Sequence, residues 1–252
     1  MKVLVACEFS GVVRDAFRAR GHEAWSCDLL QCERAGNYHI QDDIFAVLKS
    51  HWQFDLMIAH PPCTFLTVSG NKWMNHPRFP NRKRDRERAI KFVLGLAHSD
   101  ISRIAIENPV GVLSTRWRKP DQYIQPYEFG HPETKKTGLW LKGLPKLLPT
   151  NVVEPQFVIG KRDGKKYSPT HYMTAQNGNR SKLRSITYQG IADAMAAQWG
   201  ILHETTKKRE AIIWPKNCVT CGWHDHGGIC RNPHLGVKNY CIIDNDWKPK
   251  KG

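Results

Sequence analysis

Along the first half of the chain, short apolar runs alternate with segments that have the spacing of helices. Four segments have the length and composition of strands and cover residues 2–7, 23–27, 54–59 and 103–106. Three others have helical character and cover residues 12–20, 43–49 and 82–98. Apolar strands that alternate with helices indicate a parallel, doubly wound sheet, so the sequence predicts an α/β fold.

Candidate chemistry follows these predicted strands directly. Gly11, Asp28, Cys63 and Glu107 stand at or just after the four strand ends. Sheets of this type bind their ligands at the carboxyl ends of the strands, and the four residues therefore predict a common site. Two prolines precede Cys63 and restrict the backbone, so that the thiol is presented in a fixed direction. The alternative to a functional role is that Cys63 is a small buried thiol of the core and that Glu107 is a solvated carboxylate.

The second half of the chain is organised more loosely. Residues 117–184 are rich in proline, glycine and basic patches, and residues 186–199 return to helical spacing. We expect a catalytic and cofactor-binding core, a short basic target-recognition region, a closing helix of the core and a tail of different composition. These regions cover residues 1–140, 141–185, 186–206 and 207–252 respectively.

Charge narrows the class of partner. The 252 residues include 38 lysines and arginines against 23 acids, which gives a net charge of +15 and favours a polyanion such as nucleic acid. No apolar run approaches the ~20 residues that span a bilayer. The apolar start is followed at once by Arg14 and Asp15, so we expect a cytoplasmic protein. The sequence does not indicate an oligomeric state.

Two segments concentrate the basic charge. Residues 82–88 form either a solvated helix face or a phosphate contact. Residues 161–184 carry seven cations against one acid, with Tyr167, His171 and Tyr172 among them, a mixture that suits phosphates and stacked bases. From this region the candidate substrate contacts are Lys165, Lys166, Arg180 and Arg184, and from the loop after Cys63 they are Lys72, Trp73 and Arg78.

The tail contains a four-cysteine pattern. Cys218, Cys221, Cys230 and Cys241 lie within 24 residues, and the first two form a CxxC pair. Four thiolates in this arrangement predict a structural zinc site, and an iron–sulfur cluster is the alternative.

In its order of motifs the chain resembles the cytosine-C5 DNA methyltransferases, particularly small members from phages and bacteria. Phe9-Ser10-Gly11 is similar to the start of their cofactor loop, and residues 54–63 are similar to the strand that ends in the Pro-Cys nucleophile. Glu107-Asn108 resembles their Glu-Asn pair, and residues 129–135 resemble a segment that places Lys135 at an arginine position. The resemblance covers roughly residues 2–200.

The resemblance implies a Rossmann-like methyltransferase fold and S-adenosylmethionine as cofactor. It implies Cys63 as nucleophile, Glu107 as its acidic partner, Asn108 as support for the loop and Lys135 as the cation near the thiol. It also implies a cofactor site lined by Phe9, Ser10, Gly11, Asp28, Asp43 and Pro62.

Two departures leave alternatives open. Val12 and Val13 stand where the family has further glycines, and their β-carbons would narrow the approach of the backbone to the cofactor. Only about 45 residues, 141–185, are left for target recognition. The substrate is therefore cytosine in DNA or, alternatively, in RNA or a free nucleotide, and a third hypothesis is a non-catalytic nucleic-acid-binding protein that retains the fold.

Overall fold

The structure is a computed structural model that describes residues 1–161, 163–173 and 184–201. The chain divides into two units, Met1–Thr205 and Thr206–Gly252, and all described residues belong to the first. No helix in these residues is long and apolar enough to cross a membrane.

The first unit contains a seven-stranded sheet of order β3-β2-β1-β4-β5-β7-β6. Its strands are β1 Lys2–Ala6, β2 Glu23–Asp28, β3 His39–Gln41, β4 Leu56–Ala59, β5 Arg103–Pro109, β6 Gln122–Ile124 and β7 Thr137–Lys142. The strands β1 to β5 run parallel to one another, whereas β7 runs antiparallel to both β5 and β6. A separate antiparallel pair is formed by β8 Val158–Ile159 and β9 Lys166–Tyr167.

The helices of the described residues are α1 Val12–Arg18, α2 Ile44–Lys49, α3 Arg82–Ala97, α4 Leu113–Arg116, α5 Pro169–Met173 and α6 Gln189–Gly200. Short 3₁₀ segments cover Val68–Trp73 and Pro126–Glu128.

Both faces of the sheet are covered, which explains the continuous apolar runs of its central strands. Alternate residues of β1 point to opposite faces, so that Val3 and Val5 belong to one core cluster while Leu4 and Ala6 belong to the other. The first cluster includes residues of α1 and α6, and the second includes residues of α2 and α3. The sheet is therefore a middle layer between two helical layers.

The predicted α/β fold with a mostly parallel, doubly wound sheet is confirmed. The strand β7 spans position 140 as Thr137–Lys142 and pairs with Ile104–Pro109 of β5. The division of the chain into four regions stays a prediction. The strands β3, β6 and β7 were not predicted from the sequence. β3 and β6 are only three residues long, and β7 lies within a segment rich in glycine and proline.

Candidate active site

A histidine and a glutamate form a hydrogen-bonded pair where the central strands end. His60 follows β4 directly, and Glu107 lies in the adjacent strand β5. His60 Nδ1 is 2.7 Å from Glu107 Oε2, and only 8% and 14% of the two side chains are exposed. The parallel register brings Ala59 opposite Ile106, so the residues that follow each of them meet at the same edge. This pair is the centre of the candidate site.

The carboxyl of Glu107 is held in its ionised form. Burial alone would raise its pKa, but the hydrogen bond from His60, the positive charge of Lys135 and a hydrogen bond from Thr137 outweigh burial and lower the pKa to about 2. At neutral pH Glu107 is therefore a carboxylate. Since a carboxylate only accepts, the nitrogen of His60 that faces it must carry the hydrogen.

The thiol of Cys63 lies within the electrostatic reach of the same carboxylate. Burial and the negative charge of Glu107 raise the pKa of the thiol, while Lys135 and Arg184 act in the opposite direction without cancelling the rise. We predicted from the sequence that Lys135 favours the thiolate, and its charge does act in that sense. The net result is a thiol that is protonated at neutral pH.

The loop that carries Cys63 is fixed at both of its ends. The buried amide of Asn108 donates to the carbonyl of Pro61 at 3.0 Å, which ties the loop to the end of β5. After the thiol, the carbonyl of Cys63 accepts from the backbone N–H groups of Leu66 and Thr67 in a tight turn. The direction of the thiol is therefore set by Asn108 on one side and by a hydrogen-bonded turn on the other.

Two arginines of α3 hold the segment after this turn. Arg86 donates to the carbonyl of Phe65 and to the side chain of Asn71, both at 2.8 Å, and Arg82 donates to the carbonyls of Thr64 and Gly70. The run at 82–88 was interpreted from sequence as a solvated face or a phosphate contact. Arg86 is buried and Arg82 is half-buried, and both guanidinium groups donate to the loop. A phosphate contact by residues of this run stays a prediction.

Lys135 and Arg184 both act electrostatically on the thiol. The ammonium of Lys135 donates to the carbonyl of Arg184 at 3.0 Å and lies 5.8 Å from the ring of Tyr188. Tyr188 precedes α6, whose first turn is fixed where the N–H of Gly190 donates to His131 at 2.9 Å. The predicted closing helix thus begins beside the Lys135 segment.

At the amino end of α1, a buried glutamate holds the loop that was predicted to bind the cofactor. Glu8 accepts the N–H groups of Val13 at 2.7 Å and Arg14 at 3.2 Å, although burial raises the pKa of its carboxyl. Gly11 has a φ of +71°, and a β-carbon there would lie 2.6 Å from a guanidinium nitrogen of Arg14. The loop therefore requires glycine at position 11.

Val12 and Val13 begin the helix that follows this loop. Both valines belong to α1 and pack in the core cluster on the α6 face of the sheet. The effect of their β-carbons on the approach of a cofactor stays a prediction.

The other predicted cofactor residues occupy different settings. Phe9 and Ser10 are buried in the loop before α1, and Pro62 is exposed next to Cys63. Asp28 ends β2 and accepts the N–H of Leu30 at 2.9 Å, which fixes its carboxylate at the sheet edge. Asp43 caps α2 by accepting from Phe45 and Ala46, so its position has a structural reason of its own.

The predicted substrate residues fall into two groups. Lys72 and Trp73 end the 3₁₀ segment after Cys63, and Trp73 packs edge-on against His76 and Phe79, with Arg78 beside Phe79. Lys166 begins β9 of the separate β8–β9 pair, Lys165 directly precedes it, and both are exposed. Of the two predicted arginines, Arg184 is near the thiol, whereas Arg180 lies outside the described residues.

Cys218, Cys221, Cys230 and Cys241 also lie outside the described residues. Within the part of the chain that the structure describes, no group of three or more metal-ligating side chains occurs, and Cys7, Cys27, Cys32 and Cys63 are free thiols.

Sequence reasoning did not assign His60 or Glu8, although each bears on the site. His60 directly follows the buried strand β4, and Glu8 lies two residues after the end of the buried strand β1. A titratable residue at the carboxyl end of an apolar strand is the signal that singled out Glu107, and the same rule would have selected both.

Comparisons with known proteins do not assign this chain to a family. No family model matches it. No curated protein matches it either. Among solved structures, a protein described as a DNA modification methyltransferase encoded within a prophage, from E. coli, is 16% identical over 61% of this chain and 52% of that protein, with a TM-score of 0.38. Similarity at this level establishes neither a shared fold nor an activity.

The electrostatics predict how Cys63 reacts with an alkylating agent. In the wild type, the rate rises with pH beyond the range in which a free thiol, with a pKa of about 8.5, has already ionised. Glu107→Gln removes the charge that raises the pKa of the thiol and speeds alkylation at pH 8 by about threefold or more, whereas Lys135→Met slows it. Peptide mass spectrometry after exposure to iodoacetamide separates Cys63 from the other cysteines.

Glu87→Gln is the matched control, because Glu87 is an exposed carboxylate that pairs with Arg116 on the surface of α3. It should leave the alkylation of Cys63 unchanged. A Glu107→Gln protein that reacts no faster than the wild type would show that the carboxylate does not act on the thiol.

Proposed function

We propose that this chain is an S-adenosylmethionine-dependent methyltransferase that acts on C5 of cytosine in DNA through a covalent adduct with Cys63. The observation that carries the proposal is the juxtaposition of a half-buried thiol and a buried, ionised carboxylate on the ends of adjacent strands, with the cation of Lys135 beside both. A nucleophile and an acid within electrostatic reach of each other are the groups this reaction needs.

The cofactor side of the sheet suits a nucleoside with a charged tail. The loop before α1 has glycine in the left-handed conformation, and the carboxylate of Asp28 is fixed at the end of the next strand, where it would accept hydrogen bonds from ribose hydroxyls. The antiparallel β7 between β5 and β6 distinguishes this sheet from a six-stranded dinucleotide-binding sheet and supports the methyltransferase type. The cofactor, when bound, supplies an electrophilic methyl group.

The residues of the chain would prepare the base for this transfer. The Cys63 thiolate adds to C6 of the ring, and the displaced π electrons reach N3, which takes up a proton. C5 thereby becomes nucleophilic enough to accept the methyl group. Loss of the proton at C5 then expels the thiolate and restores the aromatic ring. Glu107 would contact N3 and the exocyclic amine, and Asn108 would hold the loop that presents the thiol.

The charge distribution supports a polyanionic substrate. The net charge of +15 attracts phosphates, and the exposed Trp73 segment carries Lys72 and Arg78 on the polypeptide that directly follows the nucleophile. If the base lies in a duplex, it must leave the stack to reach Cys63, which costs a few kcal/mol. Aromatic and basic side chains beside the nucleophile suit an extruded base and its flanking phosphates.

The decisive test is transfer of labelled methyl from S-adenosylmethionine. We expect label at C5 of cytosine in DNA, and loss of that label in Cys63→Ser on the order of 10³-fold or more, because a hydroxyl cannot replace the thiolate. Cys32→Ser is the control, since the thiol of Cys32 only accepts from Arg14 and a hydroxyl can do the same. Single-stranded DNA, RNA and cytidine nucleotides are tested in parallel.

If label appears only in RNA or free nucleotides, the proposed reaction at C5 is retained and DNA is rejected as the substrate. No label in any of them, together with no binding of S-adenosylmethionine by calorimetry, would favour the non-catalytic nucleic-acid-binding protein instead.

We propose further that the tail cysteines hold a structural zinc ion. Four thiolates fill a tetrahedral site and leave no position open for catalysis, so the metal would stabilise the fold of residues 207–252. The donor set is also compatible with an iron–sulfur cluster.

Metal analysis of the purified protein separates these alternatives. We expect zinc, bound at one ion per chain and lost when Cys218 and Cys221 are both replaced by serine, while Cys32→Ser retains it. Iron together with visible absorbance would replace zinc by a cluster. A protein free of both metals when purified under reducing conditions would contradict the proposal.

A further inference from the structure

The proposed reaction needs a proton that Glu107 does not carry in the resting enzyme. N3 of the base must be protonated as the thiolate adds, yet the carboxyl of Glu107 is ionised at neutral pH. Protonation by bulk water is disfavoured, because 14% of the Glu107 side chain and 8% of the His60 side chain are exposed. A group that touches Glu107 must therefore provide the proton.

His60 is in contact with Glu107 at the required atom. Its Nδ1 lies 2.7 Å from Oε2, and because the carboxylate can only accept, Nδ1 is the donor. On the other side of the ring, Nε2 is buried and has no hydrogen-bond partner among the described residues. The imidazole is thus aimed at Glu107 and has no second hydrogen bond that would explain its burial.

Charged groups approach His60 from two sides. Glu107 is negative, and Glu8, which follows the neighbouring strand β1, interacts electrostatically with the imidazole from the other side. Lys135 is the opposing cation and acts on Glu107. The thiol of Cys63 is neutral at rest and becomes negative only as it reacts.

We propose that His60 is a positioning residue that holds Glu107 toward the base and supplies the proton that Glu107 passes to N3. This inference rests on the proposed function, since it assigns the proton of that reaction. In this proposal His60 acts only through Glu107.

The half-buried Cys63 thiol loses its proton to water before the bond to C6 forms, and water also takes the proton that leaves C5, so the step balances with water as the only further reactant. As the bond between Cys63 Sγ and C6 forms, the Nδ1 proton of the imidazolium moves to Glu107 Oε2, and the resulting carboxylic O–H turns to the base and protonates N3. His60 remains neutral with its hydrogen on Nε2, and Glu107 is again a carboxylate. When the thiolate is expelled, the proton returns from N3 to Nδ1 by the same route.

Two substitutions at position 60 separate holding from proton supply. His60→Asn keeps an N–H donor near the Nδ1 position and can still hold Glu107, but it has no proton to give. His60→Ala loses both roles. We expect kcat to fall about 10²-fold in His60→Asn with KM for the base nearly unchanged, and both constants to deteriorate in His60→Ala.

The pH profile provides a readout that a structural role would not change. Activity of the wild type requires imidazolium and therefore decreases as pH rises and this proton is lost, and the decrease is absent from His60→Asn. His98→Asn is the control, because His98 is exposed at the end of α3 and should leave the rate and its pH dependence unchanged. A His60→Asn enzyme with wild-type kcat and the wild-type pH profile would overturn the proposal.

Nitrogen NMR distinguishes failure of this inference from failure of the proposed function. In ¹⁵N-histidine-labelled protein, the protonated Nδ1 signal that is missing from His60→Asn should shift in Glu107→Gln. A wild-type protein that methylates no substrate but shows this shift would reject the methyl transfer and retain the proton-sharing pair. Absence of the shift would overturn the inference, whatever the activity.

Discussion

The candidate site depends on the negative charge of Glu107 in β5, which burial of the carboxylate opposes. A buried carboxylate without partners would become protonated or would destabilise the fold by several kcal/mol. Glu107 stays ionised because His60, which follows the neighbouring strand β4, donates a hydrogen bond to it. Lys135, which precedes the antiparallel strand β7, adds a positive charge. The strand order supplies these partners, since β5 lies between β4 and β7.

This charge also determines how the nucleophile behaves. Burial and the carboxylate raise the pKa of the Cys63 thiol, so at neutral pH the sulfur is in the protonated, less nucleophilic form. In the proposed reaction, the proton from the pair neutralises the negative charge that the thiolate transfers to the ring as the new bond forms. The thiol and the acid are therefore coupled, and substitution of either one changes the other.

The sequence predicted the residues at the strand ends better than their partners. Cys63, Glu107 and Asn108 each follow or end an apolar strand, so their shared edge could be inferred from the parallel topology alone. His60 escaped notice because its contact depends on the register between β4 and β5, which the chain does not display locally. The inward direction of Arg82 and Arg86 likewise depends on the path of the loop after Cys63. Composition alone cannot distinguish such arginines from a solvated face.

The proposed addition of Cys63 to a cytosine that contacts Glu107 is tested most directly with DNA that contains 5-fluorocytosine. Fluorine at C5 cannot leave as a proton, so the enzyme that adds to C6 and transfers a methyl group remains bound to the base. We predict a stable complex in the presence of S-adenosylmethionine, with the modification mapped by mass spectrometry to the peptide that contains Cys63. A complex that maps to another residue, or no complex under conditions in which the DNA and the cofactor are both bound, would contradict this account.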